Sequence, residues 1–499
     1  MFRRTLLLPV LLSSLGLLTL SACGESLSSI DASSHYGGYD DYGSAENYED
    51  YGVNGMVDTA EDNLSTFSID VDTGSYTLMR RDINGGSLPN QAGVRVEEYV
   101  NYFGFDYPQP TSEHPFAVHL ESAQSYFGPE RELLRVGLQG FTMPEVERAP
   151  ANLVFLIDVS GSMMASNKLG LIKSAFGLLV EKLNENDTVS VVTYAGRESV
   201  ALEATPGDQD DTIMTAVDNL TAGGSTNGEA GIRLAYDMAE ATMISGGINR
   251  VILCTDGDLN VGLTGNALHD VIEDFRDRDI FLTTLGFGMG NYNDRDMEQL
   301  ADKGNGNYAY IDGQAEARRG FQDKLLGTLQ VIAKDVKIQV AFNTELVSKF
   351  RLVGYENRVL EHEDFQDDTK DAGELGSGHS VTALYELELA EGVAVAEAPG
   401  NLVDVALRYK QPEADESVEF TTSFEAASTG GAFEDASGEF RFAAAVAEFA
   451  EILRASSFSE GADFAAVSEI AQGASGEQED RLEFIDLVSR ASELWLMHQ

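Results

Sequence analysis

Basic residues are scarce in this chain of 499 residues: 33 Lys and Arg stand against 83 Asp and Glu, a formal charge of -50. Nucleic acid and anionic lipid are gripped by clustered cations, so this balance excludes both as electrostatic partners. Cysteine is scarcer still. Cys23 and Cys254 are the only two, too few for a disulfide framework. The seven histidines are scattered, with no H-E-x-x-H and no pair at metal spacing, which argues against the common zinc hydrolases. Gly286-Phe-Gly-Met-Gly-Asn is glycine-rich but has no Lys at phosphate-loop spacing, and reads as a turn. Long apolar runs are missing too: Leu6 to Leu20 is short for a membrane span.

What is present begins with two apolar runs that each end abruptly in a carboxylate. Asn152 to Ser162 reads NLVFLIDVSGS, and Arg250 to Asp258 reads RVILCTDGD. Continuous runs of this kind suit strands buried on both faces of a parallel sheet. The first delivers Asp158, Ser160 and Ser162 as D-x-S-x-S, and the second delivers Asp256. Between them, Gly223-Gly224-Ser225-Thr226-Asn227 opens a helix. In open α/β sheets, ligands sit outside the carboxyl ends of the strands. Two acids and three hydroxyls at one such edge form a small cation site of hard oxygens. The alternative is a loop whose side chains only cap the next helix. Ser160 lies in V-S-G-S-M rather than G-x-S-x-G, so no nucleophile elbow is present. Asp258 is expected to be an exposed neighbour rather than a ligand.

D-x-S-x-S, a distant G-G-x-T and T-D-G after a strand resemble the three parts of the metal-ion-dependent adhesion site of von Willebrand factor A domains. The resemblance assigns Asp158, Ser160, Ser162, Thr226 and Asp256 as metal ligands, the aspartates directly or through water. It implies Mg²⁺, with Mn²⁺ or Ca²⁺ as substitutes, and a partner's Asp or Glu as the last ligand. Strands and helices alternate from about 151 to 330, which predicts a doubly wound sheet. Cys254 falls inside a strand run and is expected to be a buried, inert thiol.

The flanks are read from composition and pattern. Arg3 and Arg4 precede the apolar run, so residues 1–22 read as a targeting segment. Leu20-Ser21-Ala22-Cys23 resembles the bacterial lipoprotein cleavage box, which implies lipidation of Cys23, and Gly24 after it favours the outer membrane. Residues 23–61 are rich in Ser, Gly, acids and Tyr with few aliphatics, and are expected to be a disordered tether. Residues 62–150 carry strands and short helices. Asp70-x-Asp72-x-Gly74 hints at a calcium loop but lacks the later acid. Residues 335–425 read as β, and 438–499 as helical. "TFSIDVDTGSY", "VRVEEYVNYF", "RLVGYENR" and "VTALYELEL" resemble the YfbK-like branch of bacterial A-domain proteins. Two strands in 116–140 cannot bury a face alone, so the A domain is expected to be inserted into a β-sandwich.

The expected activity is binding, not catalysis: a lipid-anchored envelope protein that captures an acidic protein partner through a divalent cation. The other readings are an assembly scaffold that uses the A fold without metal and, further off, a metal-dependent hydrolase.

Overall fold

The computed structural model describes residues 46–111, 113–144, 147–225, 228–257, 266–288, 292–324, 330–461 and 463–497. Its first described stretch corrects an expectation. Residues 46–61, assigned above to the disordered tether, are laid against later parts of the chain. Asn47 N–H donates to the Tyr292 carbonyl at 3.2 Å. Asn54 Nδ2 donates to the Gly354 carbonyl at 2.8 Å. The Tyr48 ring covers Gly93, where a Cβ would come within 2.6 Å of it. β1 (Val57–Asp58) pairs antiparallel with 347–353. The reason is that rings and amides dock on edges made far away in sequence, which a local count of aliphatics does not register.

β2 (Leu64–Ser68), α1 (Gly74–Asn84) and α2 (Val96–Tyr102) follow, then the hairpin of β3 (Phe116–Gln124) and β4 (Glu132–Gly140). The α/β part comes next: β5 (Ala151–Asp158), α3 (Leu169–Val180), β6 (Thr188–Tyr194), β7 (Glu198–Pro206), α4 (Asp210–Asp218), α5 (Gly228–Ala241) and β8 (Ile248–Thr255). It continues with α6 (Asn266–Arg276), β9 (Phe281–Phe287), α7 (Asp294–Lys303), β10 (Tyr308–Ile311) and α8 (Gln314–Arg318). The strand order is β10-β9-β8-β5-β6-β7. All neighbours are parallel except β7, an antiparallel edge on β6. β5 and β8 are buried at every residue, as strands covered by helices on both faces must be. One face packs Phe155, Ile172, Phe176 and Leu179; the other packs Leu156, Tyr236, Leu253 and Ile272.

The chain then returns to β: β11 (Val331–Phe342), β12 (Val347–Val353), β13 (Gly373–Gly376), β14 (Ser380–Leu389), β15 (Asn401–Lys410) and β16 (Ser417–Glu425). One sheet runs β1-β12-β14-β4-β3, the other β13-β11-β15-β16 with β2 also on β11. Val136 of β4 stands opposite Ala383 of β14, and Phe67 of β2 opposite Ile338 of β11. Both sheets therefore mix strands from before and after the α/β part, which is inserted in a β-sandwich. Leu134, Val136, Ile338, Val340, Tyr385 and Val405 fill its core. α9 (Gly438–Leu453), α10 (Phe464–Ala474) and α11 (Glu479–Met497) close the chain. With α1 and α2 they form an apolar layer around Tyr76, Tyr99, Phe103, Phe442, Phe449 and Phe484, set on Leu133 and Leu384 of the sandwich. Among the described residues no helix is long and apolar enough to cross a membrane.

Candidate functional site

Asp158 is the last residue of β5, and Asp256 follows the last residue of β8. The two strands are parallel neighbours with Ile157 opposite Cys254. That register carries both acids to the same carboxyl edge of the sheet. Each is buried, Asp158 completely and Asp256 to 2 % exposure.

The turn after β5 is built by the D-x-S-x-S spacing. Asp158 Oδ1 accepts the Ser160 backbone N–H at 2.7 Å, and Oδ2 accepts Thr255 Oγ1 at 3.3 Å. The Ser160 and Ser162 hydroxyl oxygens lie 2.9 Å apart. Ser160 is buried, whereas Ser162 reaches the surface beside Met164, which is 70 % exposed. The glycine loop is tied to this turn: Gly223 N–H donates to the Val159 carbonyl at 2.7 Å, and Gly161 N–H to the Gly224 carbonyl at 3.1 Å. Thr226, the ligand expected from that loop, lies outside the described residues, as do Asp258 and Cys23.

Burial pushes the Asp158 carboxyl up to about 6, the Ser160 N–H opposes the rise, and the nearby Asp256 charge adds to it. Two buried carboxylates whose charges act on each other call for a cation. The structure supplies one that the sequence reading missed. Lys168 Nζ donates to Asp256 Oδ2 at 2.8 Å, with the two side chains only 8 % and 1 % exposed. Lys168 caps α3, and its stem lies over Gly288, where a Cβ would come 2.1 Å from Lys168 Cε. The Asp256 turn is also braced: Gly257 has φ +84, and a Cβ there would come within 2.9 Å of the Tyr292 ring.

The donor set suits a small, hard divalent ion. An octahedral shell with bonds near 2.1 Å has edges of about 3 Å, which is the separation of the Ser160 and Ser162 oxygens. Among the described residues no group of three or more His, Cys, Asp or Glu is placed to hold a metal. A cation here would therefore rest on two carboxylates and neutral hydroxyls, a set that leaves the ion electrophilic. The other acid pair singled out by the sequence is already claimed. Asp70 and Asp72, the hint of a calcium loop, both pair with Arg358 at 3.3 Å. The Cys254 thiol is buried without a disulfide, and burial raises its pKa.

Comparison with known proteins follows the same division of the chain. The family model described as "von Willebrand factor type A domain" matches residues 152–324. "Uncharacterized protein YfbK, C-terminal" matches 327–494, and "von Willebrand factor" matches 43–135. The chain is 40% identical to "Uncharacterized protein YfbK" of Escherichia coli (strain K12) over 470 residues, 89% of this chain and 80% of that one. It is 29% identical over 192 residues to human "Inter-alpha-trypsin inhibitor heavy chain H3", spanning 36% of this chain and 21% of that protein. Among solved structures, "von Willebrand factor type A from Catenulispora acidiphila" is similar with a TM-score of 0.44 at 15% identity, covering 75% of this chain and 90% of that one. On the extent of the first relationship, the chain belongs to the YfbK family of von Willebrand A-domain proteins.

Proposed function

We propose that this protein is an adhesion module of the bacterial envelope, in which the edge formed by Asp158, Ser160, Ser162, Thr226 and Asp256 holds Mg²⁺ or Mn²⁺ and captures a carboxylate of a protein partner. A domains mediate protein–protein interaction; the metal and the acidic partner are the finer part of the reading. The observation that carries it is the buried Asp158 carboxyl held at the turn whose two hydroxyls lie 2.9 Å apart, with the buried Asp256 charge near enough to act on it. When bound, the ion supplies a Lewis-acidic coordination position for an oxygen anion. The chain's part is to fix that position. The Ser160 N–H and Thr255 hydroxyl hold Asp158 in one orientation, and the stitched glycine loop holds the turn. Ser162 and Met164 form the rim that a partner meets. We further propose a lipid on Cys23 as the anchor.

Titration of Mg²⁺ into the protein and its Asp158→Ala variant tests this, with capture of partners from solubilised envelope read with and without chelator. Capture that needs metal and is lost in Asp158→Ala is the expected result. A metal-free scaffold is the second reading, favoured by the Lys168–Asp256 pair, which already gives Asp256 a cation. Capture unchanged by chelator and by Asp158→Ala would establish that reading instead.

A further inference from the structure

Lys168 is the feature of the site that the metal reading does not use. Its side chain is buried, its Nζ meets Asp256 at 2.8 Å, and its stem passes over a glycine that admits nothing larger. The backbone on either side is pinned as well. Lys168 N–H donates to the Ala165 carbonyl at 3.0 Å, and its own carbonyl accepts from Leu171 and Ile172 at 3.0 and 3.1 Å. The ammonium is therefore delivered to Asp256 by a fixed piece of backbone, not by a wandering surface chain.

We infer that Lys168 is a specificity-determining residue of this site: a tethered cation that competes with the divalent ion for Asp256 and, with the ion bound, leaves the site net positive. The inference rests on the metal reading above. The charge balance is simple. Asp158 and Asp256 together match one divalent ion, so without the lysine the loaded site carries no net charge and draws an anion only through the ion's open coordination position. The lysine adds one positive charge within contact distance. The same charge repels the incoming metal and attracts a partner's carboxylate. Lys168 thus lowers metal affinity and raises affinity for the acidic ligand. In the metal-free state it also gives the buried Asp256 charge a cationic partner, and removing one member of a buried ion pair destabilises a fold.

The test uses the full-length protein with Lys168→Met, which keeps the stem and removes the charge. Lys168→Gln, which keeps a donor for Asp256, serves if the methionine variant does not fold. Mn²⁺ binding is followed by the electron paramagnetic resonance of the free ion, and acetate is the carboxylate probe, read by its effect on the relaxivity of bound Mn²⁺. The uncharged variant should bind Mn²⁺ on the order of tenfold or more tightly, given the strength of a contact charge pair in a protein interior. It should need a higher acetate concentration for the same relaxivity change. In chelator it should melt below the parent, and saturating Mg²⁺ should raise its Tm by more than it raises the parent's. Mn²⁺ affinity equal to or weaker than the parent's overturns the competition. Equal acetate sensitivity overturns the claim on partner charge. An identical loss of Tm with and without Mg²⁺ makes Lys168 a structural brace only. If the parent, Asp158→Ala and the lysine variants all fail to bind Mn²⁺, the metal reading falls and this inference with it. If Asp158→Ala abolishes Mn²⁺ binding while the lysine variants bind it no more tightly than the parent, the metal reading stands and the inference fails by itself.

Discussion

Two regions of this molecule bury clustered acids, and they solve the problem differently. Around Arg95, the guanidinium holds Asp294 with two bonds, Nη1 to Oδ2 at 2.7 Å and Nη2 to Oδ1 at 3.2 Å, and its Nε donates to Glu98. Tyr308 OH adds a third bond to Asp294 at 2.6 Å, and Ser75 N–H a second to Glu98 at 2.7 Å. At the Asp158–Asp256 edge the cation is a lysine, which is a single point charge, and Asp158 is met by the neutral Ser160 N–H and Thr255 hydroxyl. An arginine fork fixed on planar carboxylates uses up their acceptor capacity. A lysine's point charge and a few neutral donors bind carboxylates less completely, which suits the ion site proposed above. The contrast separates a brace from a binding site where a count of acidic residues would rank both alike.

The largest expected effect comes from breaking the brace. Arg95→Met strands Asp294 and Glu98 without their guanidinium, and should cost about 3–5 kcal/mol of stability, measured by denaturant unfolding. A loss below about 1 kcal/mol would mean that the acids find water or other donors, and the distinction drawn here would fail.

A smaller effect comes from an acid inside the first region that its arginines do not serve. Glu97 accepts the Tyr355 N–H at 2.8 Å through one oxygen, while the other meets no donor. Burial, with Glu356 and Asp70 beside it, raises its pKa to about 7. The folded state therefore holds a proton that the unfolded state releases nearer 4.5. The neutral form's contribution is complete below about pH 4.5 and is lost as pH rises towards 7. Glu97→Gln keeps the acceptor for Tyr355 without the charge. Its unfolding free energy should exceed the parent's by about 1–2 kcal/mol at pH 8, and match it near pH 4. A gain at acid pH instead would reverse the sign assigned here.

The smallest effect is the control. Arg233 and Glu229 pair at 3.3 Å on the surface of α5, 49 % and 29 % exposed. Arg233→Ala should change stability by less than about 0.5 kcal/mol. A larger loss would show that exposure does not govern the worth of an ion pair in this acidic chain.

The inserted α/β part was legible because its strands are read locally: an unbroken apolar run needs no knowledge of its neighbours. The same holds for Asp158, Ser160 and Ser162, spaced by one turn of chain. The sandwich was legible at one remove, since two strands alone could not close a core. Lys168 was not legible, because its partner lies 88 residues away and nothing near Lys168 in sequence names it. Nor was the docking of 46–61, whose tyrosines and amides bind edges supplied by residues near 292 and 354.

The bonds that cross the boundary of the α/β part bear on how far it can travel. Arg80 of α1 holds Asp312 at 2.6 Å and Glu316 at 2.8 Å, Arg95 holds Asp294, and the Asn47 backbone meets Tyr292 beside the Asp256 turn. A fragment cut out at 151 and 324 would keep the acids and leave their counter-charges behind. This A domain is thus not a detachable cassette but the middle of a single cooperative fold, and the sheet edge that carries Asp256 is braced in part by residues that precede it.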